Sequence, residues 1–140
     1  AKAACKDVGR VLGVPLADLL QSAATTTPAI TTVARHATPT LRGADNGCEL
    51  RILGPIELAG QFEWYALTVQ PGGTLASQAH EPGSREHLSV QTGALDVRAG
   101  SETARLRHGE TARYAVDVAH SIHNPGRSAA QALLVVLHPS

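Results

Sequence analysis

Histidines and acids crowd into two places in this sequence. Gln78-Ala79-His80-Glu81 is followed by Glu86-His87, with five residues between His80 and Glu86, and His120-Ser121-Ile122-His123-Asn124 lies further on. Imidazole nitrogens and carboxylate oxygens are the donors that hold borderline divalent ions such as Zn, Ni, Fe or Mn. Three of them around an ion with one position left open make either a catalytic centre or a place where an effector binds. A glutamine offers only a weaker carbonyl oxygen. Residues two apart on a strand share a face. That rule groups Gln78 with His80, Glu86 with Leu88 and Val90, and His120 with Ile122 and Asn124. His87 and His123 fall on the opposite faces and are expected in packing or at the surface. His36, His108 and His138 sit in terminal or turn positions and are expected in solvent. Each candidate also has a plainer reading. Glu86 could pair with Arg85 or another arginine at a rim, and His120 could be a core histidine bonded to backbone. Trp64 and Tyr65 point to opposite faces, one into a pocket wall and one outward.

The elements that must carry these groups are short strands. Runs of β-branched or alternating residues recur at 30–35, 48–53, 62–69, 87–92, 95–99, 102–106, 111–114, 121–124 and 132–138. Turn signals separate them, among them Pro71-Gly72-Gly73, Pro82-Gly83, His108-Gly109 and Asn124-Pro125-Gly126. Many short strands at such spacing predict an all-β sandwich or barrel. No glycine-rich loop joins a strand to a helix, so a nucleotide fold is not expected. Ahead of the strands, apolar residues at helical spacing predict helices over 3–12 and 15–21, with Gly13 and Pro15 as the stop and start between them. An Ala/Thr/Pro stretch over 22–28 reads as a linker.

Within that frame, the stretch from Gly72 to Gly93 resembles the first motif of the cupins: a glycine, a cluster of ligand-type residues, a glutamate (Glu86), six residues, and a glycine (Gly93). Gly109, His120 and Asn124 keep the spacing of the second cupin motif, with Ala115 and Asp117 in place of its proline and glycine. The resemblance implies a mainly β fold, a single cupin barrel (double-stranded β-helix, jelly-roll) over 29–140 with a short helical N-terminus. It also implies one pocket lined by Gln78, His80, Glu86 and His120. A metal there would be held by His80, Glu86 and His120, with Gln78 weak. The alternative is a metal-free polar pocket for an organic effector. Cupins often carry His-x-His where this chain has Gln78-Ala79-His80, and the spacing from His80 to Glu86 is at least one residue longer than usual. A loop insertion follows, and it leaves open which family histidine His80 stands for.

The first 21 residues, Asp7 to Leu20 above all, resemble the end of an XRE-family (lambda-repressor-like) helix-turn-helix domain, through Val11-Leu12-Gly13-Val14-Pro15-Leu16-Ala17-Asp18-Leu19. XRE regulators with a C-terminal cupin sensor also favour the phrase found here as His80-Glu81-Pro82-Gly83-Ser84-Arg85-Glu86-His87-Leu88. The resemblance implies a helix-turn-helix remnant over 1–21, a linker over 22–28 and an effector-sensing cupin barrel over 29–140. It further implies a homodimer that meets DNA only through the full-length protein.

Composition fits that division. The 140 residues suit one domain, and 12 Lys+Arg balance 12 Asp+Glu. Zero net charge argues against DNA binding by this chain in its own right, because phosphate recognition needs excess positive charge. The longest apolar run, 132–137, is too short to cross a bilayer. Cys5 and Cys48 read as free thiols of a reducing cytosol. With no leader and no initial Met, a trimmed cytoplasmic protein is expected. Two functions remain. The first is a small-molecule sensor. The second is a small metal-dependent cupin enzyme of the isomerase, epimerase or dioxygenase type, against which the Gln78 replacement and the helix-turn-helix remnant both count. A storage cupin would need two barrels and a longer chain.

Overall fold

The computed structural model describes residues 28–43 and 46–139. The helices expected over 3–12 and 15–21, and all but the last residue of the linker, lie outside the described residues. Two compact units divide the chain, Ala1–Thr38 and Pro39–Ser140. In the first, the described backbone is irregular up to a single 3-10 turn, Arg35–Ala37, which buries nothing. The strand expected over 30–35 does not form. Its apolar residues Ile30 and Val33 are 78% and 67% exposed, and β-propensity acts only where a neighbouring strand and a buried face receive it.

The described residues of the second unit form ten strands: β1 (Thr40–Arg42), β2 (Cys48–Ile52), β3 (Phe62–Val69), β4 (Thr74–Ser77), β5 (Arg85–Thr92), β6 (Leu95–Ala99), β7 (Glu102–Leu106), β8 (Thr111–Ala115), β9 (His120–His123) and β10 (Ala130–Leu137). They form two antiparallel sheets, of order β1-β2-β3-β10-β5-β8 and β4-β9-β6-β7. One apolar core lies between the sheets. It draws Leu67, Val69, Leu88, Val90, Leu134 and Val136 from the larger sheet and Leu95, Val97 and Ile122 from the smaller. This is the jelly-roll that the resemblance implies. Of the ten strands, β1 and β4 had no expected counterpart. Both are short, of three and four residues, and carry no clear alternation.

Register makes one end of this core polar. Glu63 lies opposite Val136, Val136 opposite Glu86, and Glu86 opposite Tyr114. The next inward row is Tyr65, Leu134, Leu88 and Ala112, and the row after that contains Leu67, Ala132 and Val90. β3, β5 and β8 thus each run from apolar residues in the core to a polar group, Glu63, Glu86 or Tyr114, at the same end. At the other end the buried Asn124 ties the chain together. Its Nδ2 donates to Val69 O (2.8 Å) and Ser128 O (2.9 Å), and its Oδ1 accepts from Gly126 N–H (2.8 Å). Asn124-Pro125-Gly126 is therefore a strand-ending turn. Gly93, the last glycine of the first motif, has φ +82°, and a Cβ there would sit 3.1 Å from Ala130 Cβ. Only glycine fits the corner where the chain leaves one sheet for the other.

Candidate functional site

Glu86 and His120 meet across the gap between the sheets. Alternation along β5 turns Glu86, Leu88 and Val90 inward together, and β9 does the same for His120 and Ile122. Glu86 is 4% exposed and His120 5%. Tyr114, directly opposite Glu86 on β8, donates its hydroxyl to Glu86 Oε1 (2.8 Å). His120 stands at the start of β9 between Ser77 and Ala99, whose small side chains leave room for the ring. Its Nδ1 is 2.8 Å from Val118 O. A carbonyl only accepts, so Nδ1 carries the proton, and the lone pair of a neutral ring resides on Nε2.

His80 arrives by another route. β4 ends at Ser77, so Gln78 and His80 lie on a loop and do not share a strand face as expected. Gln78 is exposed. Backbone bonds place the loop instead. His80 N–H donates to Val116 O (2.8 Å), and Val116 N–H donates to Ser84 O (3.0 Å). Between them Glu81-Pro82-Gly83-Ser84 closes a turn through Ser84 N–H to Glu81 O (3.1 Å), with Gly83 at φ +90°. Pro and then a positive-φ Gly at the two central positions are the signature of a type II turn. The longer spacing between His80 and Glu86 is this turn. It brings the His80 ring edge-on to His120, with centroids 4.9 Å apart.

One ligand atom from each of His80, Glu86 and His120 lies within 4.8 Å of the other two. Burial pushes the Glu86 carboxyl above the usual carboxylate range, against the Tyr114 hydrogen bond and the two neighbouring imidazoles, which hold it down. Tyr114 is held protonated by burial and by Glu86, so it stays a donor. His120 Nε2 sits 3.3 Å from Glu86 Oε2, yet it makes no hydrogen bond, and neither does the buried His80 Nδ1. A lone pair facing a carboxylate oxygen is satisfied by a proton or a cation between them. A divalent ion fits this donor set: two imidazole nitrogens without partners and one carboxylate, converging in a buried pocket. Such an ion would supply a Lewis-acid position that polarises an oxygen of whatever binds beside it.

The other singled-out residues separate cleanly. His123 bonds Thr74 Oγ1 through Nδ1 (2.7 Å), away from the cluster. His36 and His108 are exposed and His87 is half-buried. Trp64 is 40% exposed, while Tyr65 packs against the core. His138 corrects the expectation of a solvent-facing group. Its Nε2 bonds Glu63 Oε2, its Nδ1 lies 3.3 Å from Glu81 Oε1, and its ring stacks on His80. The signal was present in the sequence. Ala130, Ala132, Leu134 and Val136 all face inward, and His138 continues their series at a spacing of two. The same alternation carries Glu63 and Tyr65 onto the inner face with Leu67 and Val69.

The chain is similar to proteins of different kinds. The HTH-type transcriptional regulator SutR of Escherichia coli is 37% identical over 65 residues, which is 46% of this chain and 36% of that protein. The xanthan biosynthesis protein XanB of Xanthomonas campestris is 32% identical over 72 residues, 51% of this chain and 15% of that protein. The chain thus spans well under two thirds of either relative. Among solved structures, the cupin domain of an XRE-family transcriptional regulator from Enterobacter cloacae superposes with TM-score 0.62 at 23% identity, covering 67% of this chain and 99% of that one. A sugar phosphate isomerase of the cupin superfamily from Silicibacter pomeroyi superposes with TM-score 0.61 at 19% identity, covering 78% and 76%. These structures share the cupin fold. The family described as mannose-6-phosphate isomerase C-terminal matches residues 53–136, from just after β2 through nearly all of β10, and the chain belongs to that family.

Proposed function

We propose that this chain is the small-molecule-sensing cupin domain of a cytoplasmic, homodimeric DNA-binding regulator, and that His80, Glu86 and His120 hold a divalent transition metal at its effector site. The observation that carries the reading is the pair of buried imidazole nitrogens, His80 Nδ1 and His120 Nε2, left without partners beside Glu86. The likeness to SutR and to the cupin domain of an XRE-family regulator supports the regulatory context. Glu86 supplies charge compensation, Tyr114 orients that carboxylate, and the Val118 carbonyl fixes the His120 tautomer. Gln78, exposed on the loop that carries His80, would meet the effector and not the ion. An effector that favours one arrangement of the dimer by about 1–3 kcal/mol would shift operator affinity by roughly 5- to 150-fold.

Calorimetric titration of chelator-treated chain with Zn²⁺, Ni²⁺, Mn²⁺ and Fe²⁺ tests the site. One ion should bind per chain, and His120→Ala should weaken it at least about 100-fold while the β-sheet circular dichroism spectrum persists. No binding of any of the four ions would end the metal reading. The second reading, a sugar-phosphate isomerase, is favoured by the family description and the Silicibacter pomeroyi likeness. Glu86-dependent interconversion of mannose 6-phosphate and fructose 6-phosphate by the loaded chain would establish it and displace the sensor. A gene whose reading frame runs upstream of Ala1 through further helices would favour the regulator.

A further inference from the structure

We propose that His138 is a positioning residue for the site: with Glu63 and Glu81 it forms a latch that holds the His80 ring toward Glu86 and His120. The inference rests on the metal-binding reading above. His80 is the one candidate ligand that no strand carries. Its loop is pinned by two backbone bonds to Val116 and by Gly83 N–H donating to Asp117 Oδ2 (3.1 Å). These fix the backbone and leave the imidazole free to turn about its own side-chain bonds. The ring is constrained by His138. Its plane lies within 12° of the His80 ring at a centroid distance of 6.5 Å, inside the range of offset stacking between aromatic rings.

His138 is itself held at three points. Its backbone N–H donates to Gln61 O (3.0 Å) just before β3. Its Nε2 bonds Glu63, which Tyr65 also contacts through its hydroxyl (2.5 Å). Its Nδ1 faces Glu81 on the same loop as His80 (3.3 Å). A carboxylate stands at each ring nitrogen, Glu63 hydrogen-bonded at Nε2 and Glu81 facing Nδ1, so turning the imidazole would cost the Glu63 bond. The latch therefore joins β3, the end of β10 and the 78–84 loop, and it sets the imidazole of His138 parallel to and beside that of His80. Groups that orient metal ligands typically matter 10- to 100-fold for affinity.

The test uses the intact chain with Ni²⁺ as the probe, together with long-range ¹H–¹⁵N spectra of the histidine rings in the metal-free chain. His138→Ala should weaken Ni²⁺ binding about 10- to 100-fold. It should also shift and broaden the His80 ring signals, while the thermal midpoint and the Leu88 and Val90 methyl signals stay near wild type. Glu81→Gln, at a side chain 58% exposed and so tolerated by the fold, should move the same His80 signals and weaken Ni²⁺ several-fold. Wild-type Ni²⁺ affinity and unmoved His80 signals in both variants would overturn the latch. So would a loss of affinity that came only with a general shift of core methyls, since that is a plain stability effect. If the wild-type chain binds none of Ni²⁺, Zn²⁺, Mn²⁺ and Fe²⁺, the metal reading falls. The His80 ring spectra then still decide for or against the latch.

Discussion

Glu86 is a carboxylate kept dry. Burial raises its pKa more than Tyr114 and the two imidazoles lower it. The folded chain therefore holds a proton there at pH values where the unfolded chain, with a carboxyl near about 4.3, has lost it. Wherever the folded state binds more protons than the unfolded, stability falls as pH rises. The contribution of Glu86 is accordingly greatest below the ordinary carboxylate range, and it is lost as pH climbs through the raised value. Glu86→Gln removes the titration but keeps an oxygen for the Tyr114 hydroxyl. In chelator, the variant should be more stable to urea than wild type at pH 7, and the gap should close toward pH 4. It should also bind no metal, since an amide oxygen is a poor substitute for the carboxylate. A variant less stable than wild type at pH 7 would show that the ionised Glu86 is well compensated in the empty pocket. This combination, stability gained as the site is lost, is the mark of a residue kept for binding.

The strands and the loop carry the site by different physics. Glu86 and His120 were legible because alternation on a half-buried strand dictates the inward face, and Leu88, Val90 and Ile122 fix the phase. The placement of His80 was not legible, because its loop obeys turn geometry and backbone bonds to Val116, a residue 36 positions away. His138 and Glu63 were legible in principle. The alternation was simply not carried one step past the apolar run of β10 or back to the start of β3. The sheet pairing of β1 and β4 left no pattern, for three or four residues give alternation too little length to register. A consequence can be tested at Gly83. Its φ of +90° strains any L side chain, and a Cβ would meet Pro139 Cβ at 3.3 Å, beside His138. Gly83→Ala should cost about 1 kcal/mol or more by urea unfolding. Calorimetry should show Ni²⁺ affinity falling as well, because the turn sets the His80 backbone. Unfolding loss with unchanged affinity would mean that the His80 ring is positioned without the turn.

At the scale of the molecule, charge decides what the chain can do alone. Twelve basic and twelve acidic residues leave no net attraction for a polyanion. Of the arginines, Arg42 and Arg105 are already paired with Glu49 and Asp96. Among the described residues no helix is long and apolar enough to cross a membrane, and no α-helix is present to enter a major groove. Duplex binding draws its affinity from phosphates neutralised by Lys and Arg, and each such contact steepens the loss of affinity with salt. A chain whose basic residues are matched one for one by acidic ones therefore starts without the net attraction that dominates non-specific association. These 140 residues should bind a mixed-sequence duplex no more tightly than about 0.1 mM at physiological salt. Loading the site with metal should not change that, since an ion held by His80, Glu86 and His120 would be buried between the sheets. Fluorescence anisotropy of a labelled duplex, with and without Ni²⁺ and at two salt concentrations, measures both points. Nanomolar, sequence-dependent binding by this chain would place DNA reading inside the residues at hand and remove the need for a separate reading head.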